Sequence, residues 1–284
     1  MKIDRRRALA LMGLGAVPAS ARAADVAYGH GVASGDPWSD SVVLWTRLTT
    51  RAANLSGEAE VALDQGFRQV VKRYQVQTGG HRDHTVKLVA DGLKPGTEYW
   101  YRFVFEGVAS PIGRTRTTAE SGSAPVVLAV ASCTLYPNGY FTAYQAIADL
   151  PKVDAVIHLG DYIYEYGGPG SYGMNSPVAA ERTHAPDREI FSLSDYRTRH
   201  AQYKADPMSQ AAHARAPWIV VWDDHETAND SFADGAQNHE AQEGDWATRK
   251  AVAIKAYYEW MPIREPAGGG PAINRSFHFG DVAS

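Results

Sequence analysis

The 284 residues carry 28 Lys and Arg against 32 Asp and Glu, a formal charge of −4, with 44% hydrophobic and 21% charged residues. That balance is ordinary for a globular chain and leaves no electrostatic footprint for a stable nucleic-acid complex or an anionic membrane surface. The length allows two domains, each with its own core, and the single cysteine, Cys133, excludes a disulfide within the chain.

The chain opens on "MKIDRRRALALMGLGAVPASARA". An arginine triplet, Arg5 to Arg7, precedes a mildly apolar run from Ala8 to Pro18, and Ala21-Arg22-Ala23 closes it with a small-x-small pattern. Residues 1–23 read as a twin-arginine signal peptide, and the apolar run is too short to be a transmembrane anchor. The expected partner is therefore the twin-arginine export machinery, and the expected location is periplasmic or secreted. That route carries folded proteins, often with metal already inserted. An unpaired thiol in an exported protein needs a reason, and metal ligation is one.

"SDSVVLWTRL" then alternates and is rich in β-formers, followed at short intervals by "EAEVALDQ", "RQVVKRYQVQT" and "HTVKLVADGL". In "LKPGTEYWYRFVF" a Pro-Gly turn feeds a strand with Tyr99, Tyr101, Phe103 and Phe105 on one face. A tyrosine just past such a turn resembles the corner of fibronectin type III and immunoglobulin-like sandwiches. Residues 24–118 are expected to form a small β-sandwich of that kind.

The polar linker "TTAESGSAP" leads into residues 119–284, where the pattern changes. "VVLAVASC", "VDAVIHLGD" and "APWIVVWDDHE" are apolar runs expected to be strands covered on both faces, with "GYFTAYQAIADL" as a helix between the first two. Polar residues gathered at C-terminal strand ends mark an α/β layer with its site there. Gly167 to Ala214 is expected to form a lid or wall, helical around "SLSDYRTRHAQYKAD". Asp245 to Trp260 is expected to be an amphipathic helix, and "NRSFHFGDVA" a last strand containing Gly280-Asp281. The fold class expected is thus β plus α/β.

The three strand ends deliver Cys133, then Asp161 with Tyr162 and Tyr164, then Asp223, Asp224 and His225. Thiolate, carboxylate and phenolate gathered without cations would be strongly destabilised by desolvation and would hold protons instead. A hard cation resolves this. Fe³⁺ suits phenolate and carboxylate, with a thiolate completing its shell, while Ca²⁺, Mg²⁺ or Mn²⁺ suits the oxygen-rich third end. Each residue alone has a plainer reading. A lone strand Cys is usually a small hydrophobe, Gly-Asp after a strand is a common turn, His158 reads as a hydrogen-bonded core residue, and Tyr162 and Tyr166 read as packing. Consecutive ionisable groups after "WIVVW" are harder to explain as core filling.

Gly160-Asp161-Tyr162-Ile163-Tyr164 matches the G-D-x-x-Y motif of purple acid phosphatases and wider metallophosphoesterases, and Asp224-His225-Glu226 stands where that superfamily carries N-H-E. With "HGVASGDPWSDSVVLWTRL", "ASC" and "WDDHE" also present, the chain resembles the alkaline phosphatase D (PhoD-like) family of exported phosphodiesterases and phosphatases. The resemblance implies a phosphoester substrate, a ferric ion held by Cys133 and Tyr164, and Asp161 bridging it to Ca²⁺ or another divalent metal. It further implies Asp224 as a metal ligand, Asp223 and Asn229 as lesser contributors, and His225 stabilising charge on the phosphate or the leaving oxygen. Asp161 and His225 would then be the catalytic pair. Cys133 stands in place of the first aspartate of the common superfamily pattern.

Family members continue well past Ser284 and supply further ligands there. The metallophosphoesterase domain is therefore expected to be incomplete, with an open strand edge and little activity on its own. A purple-acid-like monoesterase and a non-catalytic surface-binding remnant are the alternative readings.

Overall fold

The computed structural model describes residues 25–168, 170–266, 268 and 273–283, so the expected leader lies outside the described residues. The first half is strands: β1 Val32–Gly35, β2 Val42–Arg47, β3 Asn54–Ala62, β4 Val70–Gly79, β5 Thr85–Ala90, β6 Glu98–Phe105, β7 Val108–Ala109 and β8 Gly113–Arg116. In β6 the inward side chains Tyr99, Tyr101, Phe103 and Phe105 are 2% exposed or less, as the alternation predicts. Each such ring contributes roughly 1.5–3 kcal/mol by leaving water. The turn before β6 depends on Gly96, at φ +58°. Tyr99 Oη accepts a hydrogen bond from the Lys94 N–H at 2.8 Å, tying the turn to the strand.

Further along come β9 Leu128–Ala131, β10 Ala155–His158 and β11 Trp218–Val220, with helices α1 Thr142–Ala148, α2 Leu193–Ala205, α3 Pro207–Arg215 and α4 Trp246–Trp260. Each of the later helices starts on a capping side chain. Ser192 and Asp195 form a capping box at α2, Asp206 caps α3 with Pro207 in its first turn, and Asp245 caps α4. No described helix is long and apolar enough to cross a membrane.

The strands make two sheets, giving a β plus α/β fold. One is five-stranded, in the order β4-β3-β6-β7 with β8 also on β6, and the other is six-stranded, in the order β5-β2-β1-β11-β10-β9. Val32, Val42 and Leu44 from the second sheet meet Val61, Tyr101 and Phe103 from the first in one core. The three strands β9, β10 and β11 are parallel, and β11 continues into β1 through the Gly35–Trp218 pair. A side chain at Gly35 would collide with the carbonyl oxygens of Pro262 and Trp218, which is why glycine stands at this junction. Residues on both sides of position 118 therefore share a single sheet.

Two expectations need correcting. β9 is the outer strand rather than one covered on both faces: Val130 is 61% exposed, and Cys133 beyond it is exposed as well. The segment 274–283 is not a strand. Gly280, at φ +58°, makes a turn closed by a Phe279–Ala283 bridge, and the Asp281 carboxylate accepts from the Gly122 N–H at 2.8 Å. Of the wall between the second and third strands, α3 packs on α1, and α2 packs on α4.

Candidate metal centre

Parallel pairing of β9, β10 and β11 puts their C-terminal ends side by side, and the chain leaves the first two through left-handed backbone. Cys133 has φ +57°, Gly160 +106° and Asp161 +55°. Non-glycine residues in the left-handed region cost of order 1–3 kcal/mol each and persist where the surroundings hold them. Here the Cys133 N–H donates to the Gly160 carbonyl at 3.2 Å, and the Thr134 N–H donates to the Asp161 carbonyl at 2.8 Å. The third strand end clamps the second. Glu226, 2% exposed, accepts from the backbone N–H of Asp161 (3.1 Å), Tyr162 (2.5 Å) and Asp223 (2.7 Å).

Gly160 lies where these chains come closest. A Cβ there would sit 2.5 Å from Asp223 Cβ and 2.6 Å from its backbone nitrogen. Gly160→Ala is therefore expected to lower stability by at least about 1–3 kcal/mol and to displace Asp161. A denaturation midpoint equal to wild type would contradict this.

The side chains converge. Asp161 Oδ2 accepts from Tyr164 Oη at 3.0 Å and from Cys133 Sγ at 3.4 Å. Ligating atoms of Asp161, Asp224 and His225 all lie within 4.8 Å of one another. Asp161 Oδ1 is buried and has no hydrogen-bond partner among the described residues. Burial raises the Asp161 carboxyl, against the lowering effects of His225 and of the Tyr164 and Cys133 hydrogen bonds. Burial, with the charges of Asp161 and Cys133, also pushes the Tyr164 phenol far up. An orphaned carboxylate oxygen facing donors that would otherwise have to keep their protons is a donor set that fits a bound cation.

Asp224 Oδ1 accepts from the His225 N–H at 2.9 Å, and its other oxygen accepts from the Asp230 N–H. His225 is wedged beside Tyr164, with ring centroids 4.3 Å apart, and its Nδ1 is 2.8 Å from Glu165 Oε2. Burial would lower the imidazole, but the hydrogen bond and charge of Glu165, with Asp161 and Asp224, outweigh it and raise the group.

Asp223 stands outside this cluster. Asp223 is exposed and accepts from the Asp224 N–H at 3.0 Å. The Asn229 amide donates to Gln237 Oε1 at 2.9 Å. His158 is a core residue, bonded through Nε2 to Tyr144 Oη at 2.9 Å. Tyr162 is buried against His213, with Oη 2.9 Å from Nε2. Sequence reasoning assigned no role to Glu165 or to the Glu226 clamp. A signal was available for Glu165, an acid flanked by Tyr164 and Tyr166 where the chain is otherwise apolar or aromatic.

Residues 128–284 match the PhoD-like phosphatase family, and residues 15–119 match the N-terminal domain of PhoD-like phosphatases. The chain is 44% identical over 270 residues to alkaline phosphatase D of Bacillus subtilis (strain 168), across 89% of this chain and 45% of that protein. A solved structure of PhoD superposes with a TM-score of 0.80 at 41% identity, across 89% of this chain and 50% of that one. The chain thus spans about half the length of the relatives it matches. By these matches, the chain belongs to the PhoD-like phosphatase family.

Proposed function

We propose that the chain forms part of an exported, metal-dependent phosphoesterase acting on phosphate mono- or diesters. The observation that carries this reading is the unpartnered Asp161 Oδ1 beside Tyr164, Cys133, Asp224 and His225. Cys133, Tyr164 and Asp161 would hold a ferric ion, and Asp161 and Asp224 a calcium-like ion. When bound, such ions neutralise phosphate oxygens and lower the pKa of water. Asp161, fixed by the Glu226 clamp, keeps the ligands of neighbouring strand ends in register. His225, oriented by Glu165, places an imidazole nitrogen where charge develops on the phosphate or leaving oxygen. The β-rich half, residues 24–118, is a fibronectin III-like sandwich. Residues 1–23 are a twin-arginine signal directing the protein to the periplasm or outside the cell, and residues 119–284 carry the chemistry.

A full-length preparation, extending over the length of the relatives it matches and loaded with iron and calcium, is expected to hydrolyse bis-p-nitrophenyl phosphate at alkaline pH, while residues 1–284 alone are expected to show little turnover. Chelation should stop it. Turnover unchanged after exhaustive chelation would exclude the metal-dependent reading. Tyr164→Phe is expected to remove the visible absorption band of an iron–tyrosinate pair, read by spectroscopy of the loaded protein. A band that survives would remove Tyr164 from the ligands.

A further inference from the structure

Glu165 follows Tyr164 directly, yet its side chain serves the neighbouring strand end. It is fully buried, at 0% exposed, and no Lys or Arg forms an ion pair with it among the described residues. Its carboxylate has three donors: the Asn229 N–H and Asn238 Nδ2 on Oε1, both at 2.7 Å, and His225 Nδ1 on Oε2 at 2.8 Å. The first two donors both reach Oε1, bracing the carboxylate and leaving Oε2 to the imidazole. Tyr164 and Tyr166 lie against the ring, with centroids 4.3 and 5.3 Å from it, and hold its plane.

A carboxylate in this place can only accept, so Nδ1 must carry a proton. In the neutral ring the lone pair is then confined to Nε2, the nitrogen that Glu165 does not engage. Without the carboxylate, both tautomers would be available, and neither ring nitrogen would be reserved for the site.

We propose that Glu165 is a positioning residue that sets the tautomer of His225, fixing a proton on Nδ1 and reserving Nε2, the nitrogen it does not engage, for the phosphate or leaving oxygen. This rests on the reading of His225 as part of a phosphoesterase site, but it makes a separate structural claim that can be tested without turnover. Asn238 acts one step further out, as the brace of Glu165.

The test is nitrogen NMR of the full chain, labelled with ¹⁵N at histidine and held at alkaline pH, where the ring is neutral. The His225 signals are assigned by their loss in His225→Ala. Wild type is expected to show a proton-bearing Nδ1 and a bare Nε2. Glu165→Gln, which keeps the shape but can offer an amide donor, should move both nitrogens toward the opposite tautomer. Nitrogen shifts identical to wild type in folded Glu165→Gln would overturn the proposal. If that variant does not fold, Asn238→Ala provides the second reading: a partial move in the same direction supports the brace, and unchanged shifts overturn the proposal. In phosphoester assays of the metal-loaded full-length protein, hydrolysis absent from wild type with the tautomer intact would count against the function alone. A tautomer that ignores Glu165 in an active protein would count against this inference alone.

Discussion

Asp161→Asn is expected to abolish cation loading while leaving the metal-free fold at least as stable as wild type. The reason is the mismatch at this carboxylate. One oxygen accepts from Tyr164 at 3.0 Å and Cys133 at 3.4 Å, the other is buried without a partner, and burial raises the group. Asn keeps the volume and removes the charge that is unfavourable without an ion, so the metal-free protein gives up little. The loaded protein gives up a ligand shared between two positions. Calorimetric titration with Ca²⁺ and Fe³⁺ should show at least a ~100-fold loss of affinity, about 2.7 kcal/mol, beside an unchanged or raised melting temperature. A variant that binds metal as wild type does, or that melts well below it, would contradict this account of the residue. Such a trade between stability and function is common where a site concentrates charge.

Acid is expected to destabilise the chain from about pH 6.5 downward. Burial is the main cause that lowers His158, His184 and His200 to about 3 and His30 to about 4, and it also lowers His213 well below the ordinary histidine value. Folded values below the unfolded one mean that the unfolded chain takes up these protons first. Stability is therefore full above pH ~6.5 and falls as pH drops, by about 1.4 kcal/mol per unit for each group. Glu226, pushed up to about 8 by burial, works with the opposite slope between its unfolded and folded values, as do the raised Asp36, Asp161 and Glu189. The histidines outnumber these acids. The net loss, roughly 1–2 kcal/mol per pH unit, is a sizeable share of a typical stability of about 5–15 kcal/mol.

Lys204 sharpens the case. It is 1% exposed, 2.9 Å from His213 Nε2 and over the rings of Trp45 and Tyr162, with no carboxylate partner among the described residues. Burial lowers it well below the ordinary lysine value. Lys204→Met should therefore stabilise the protein by about 1–3 kcal/mol. Urea midpoints measured from neutral to acid pH test both effects. A flat profile between pH ~7 and ~5, or a destabilised Lys204→Met, would refute them.

The strand ends were the most legible part of this chain. Apolar runs interrupted by Cys133, by Asp161 with Tyr164, and by Asp224 with His225 are improbable as core filling, and parallel pairing puts them together. What stayed hidden depended on neighbours remote in sequence. Val42 to Trp45 are each 0% exposed, the mark of a strand covered on both faces, yet the run reads equally well as half of a small sandwich. Only the Gly35–Trp218 pairing shows that β1 extends the later sheet. Conversely, β9 has the apolar composition of a central strand and lies at the edge, because strand order is not written in local pattern. Glu165 was missed for the same reason, since its partners His225 and Asn238 lie 60 and 73 residues away. The turn at Gly280 was misread because Phe277 and Phe279 alternate like a strand, while a glycine in the left-handed region ends it.

The most direct test is anomalous diffraction from crystals soaked in iron and calcium salts, because it sees cations rather than their consequences. The arrangement predicts peaks about 2.0–2.6 Å from the Asp161 carboxylate, with iron on the side of Cys133 and Tyr164 and calcium on the side of Asp224. Fully soaked crystals with no peak at these side chains, or with metal bound only elsewhere on the surface, would contradict it.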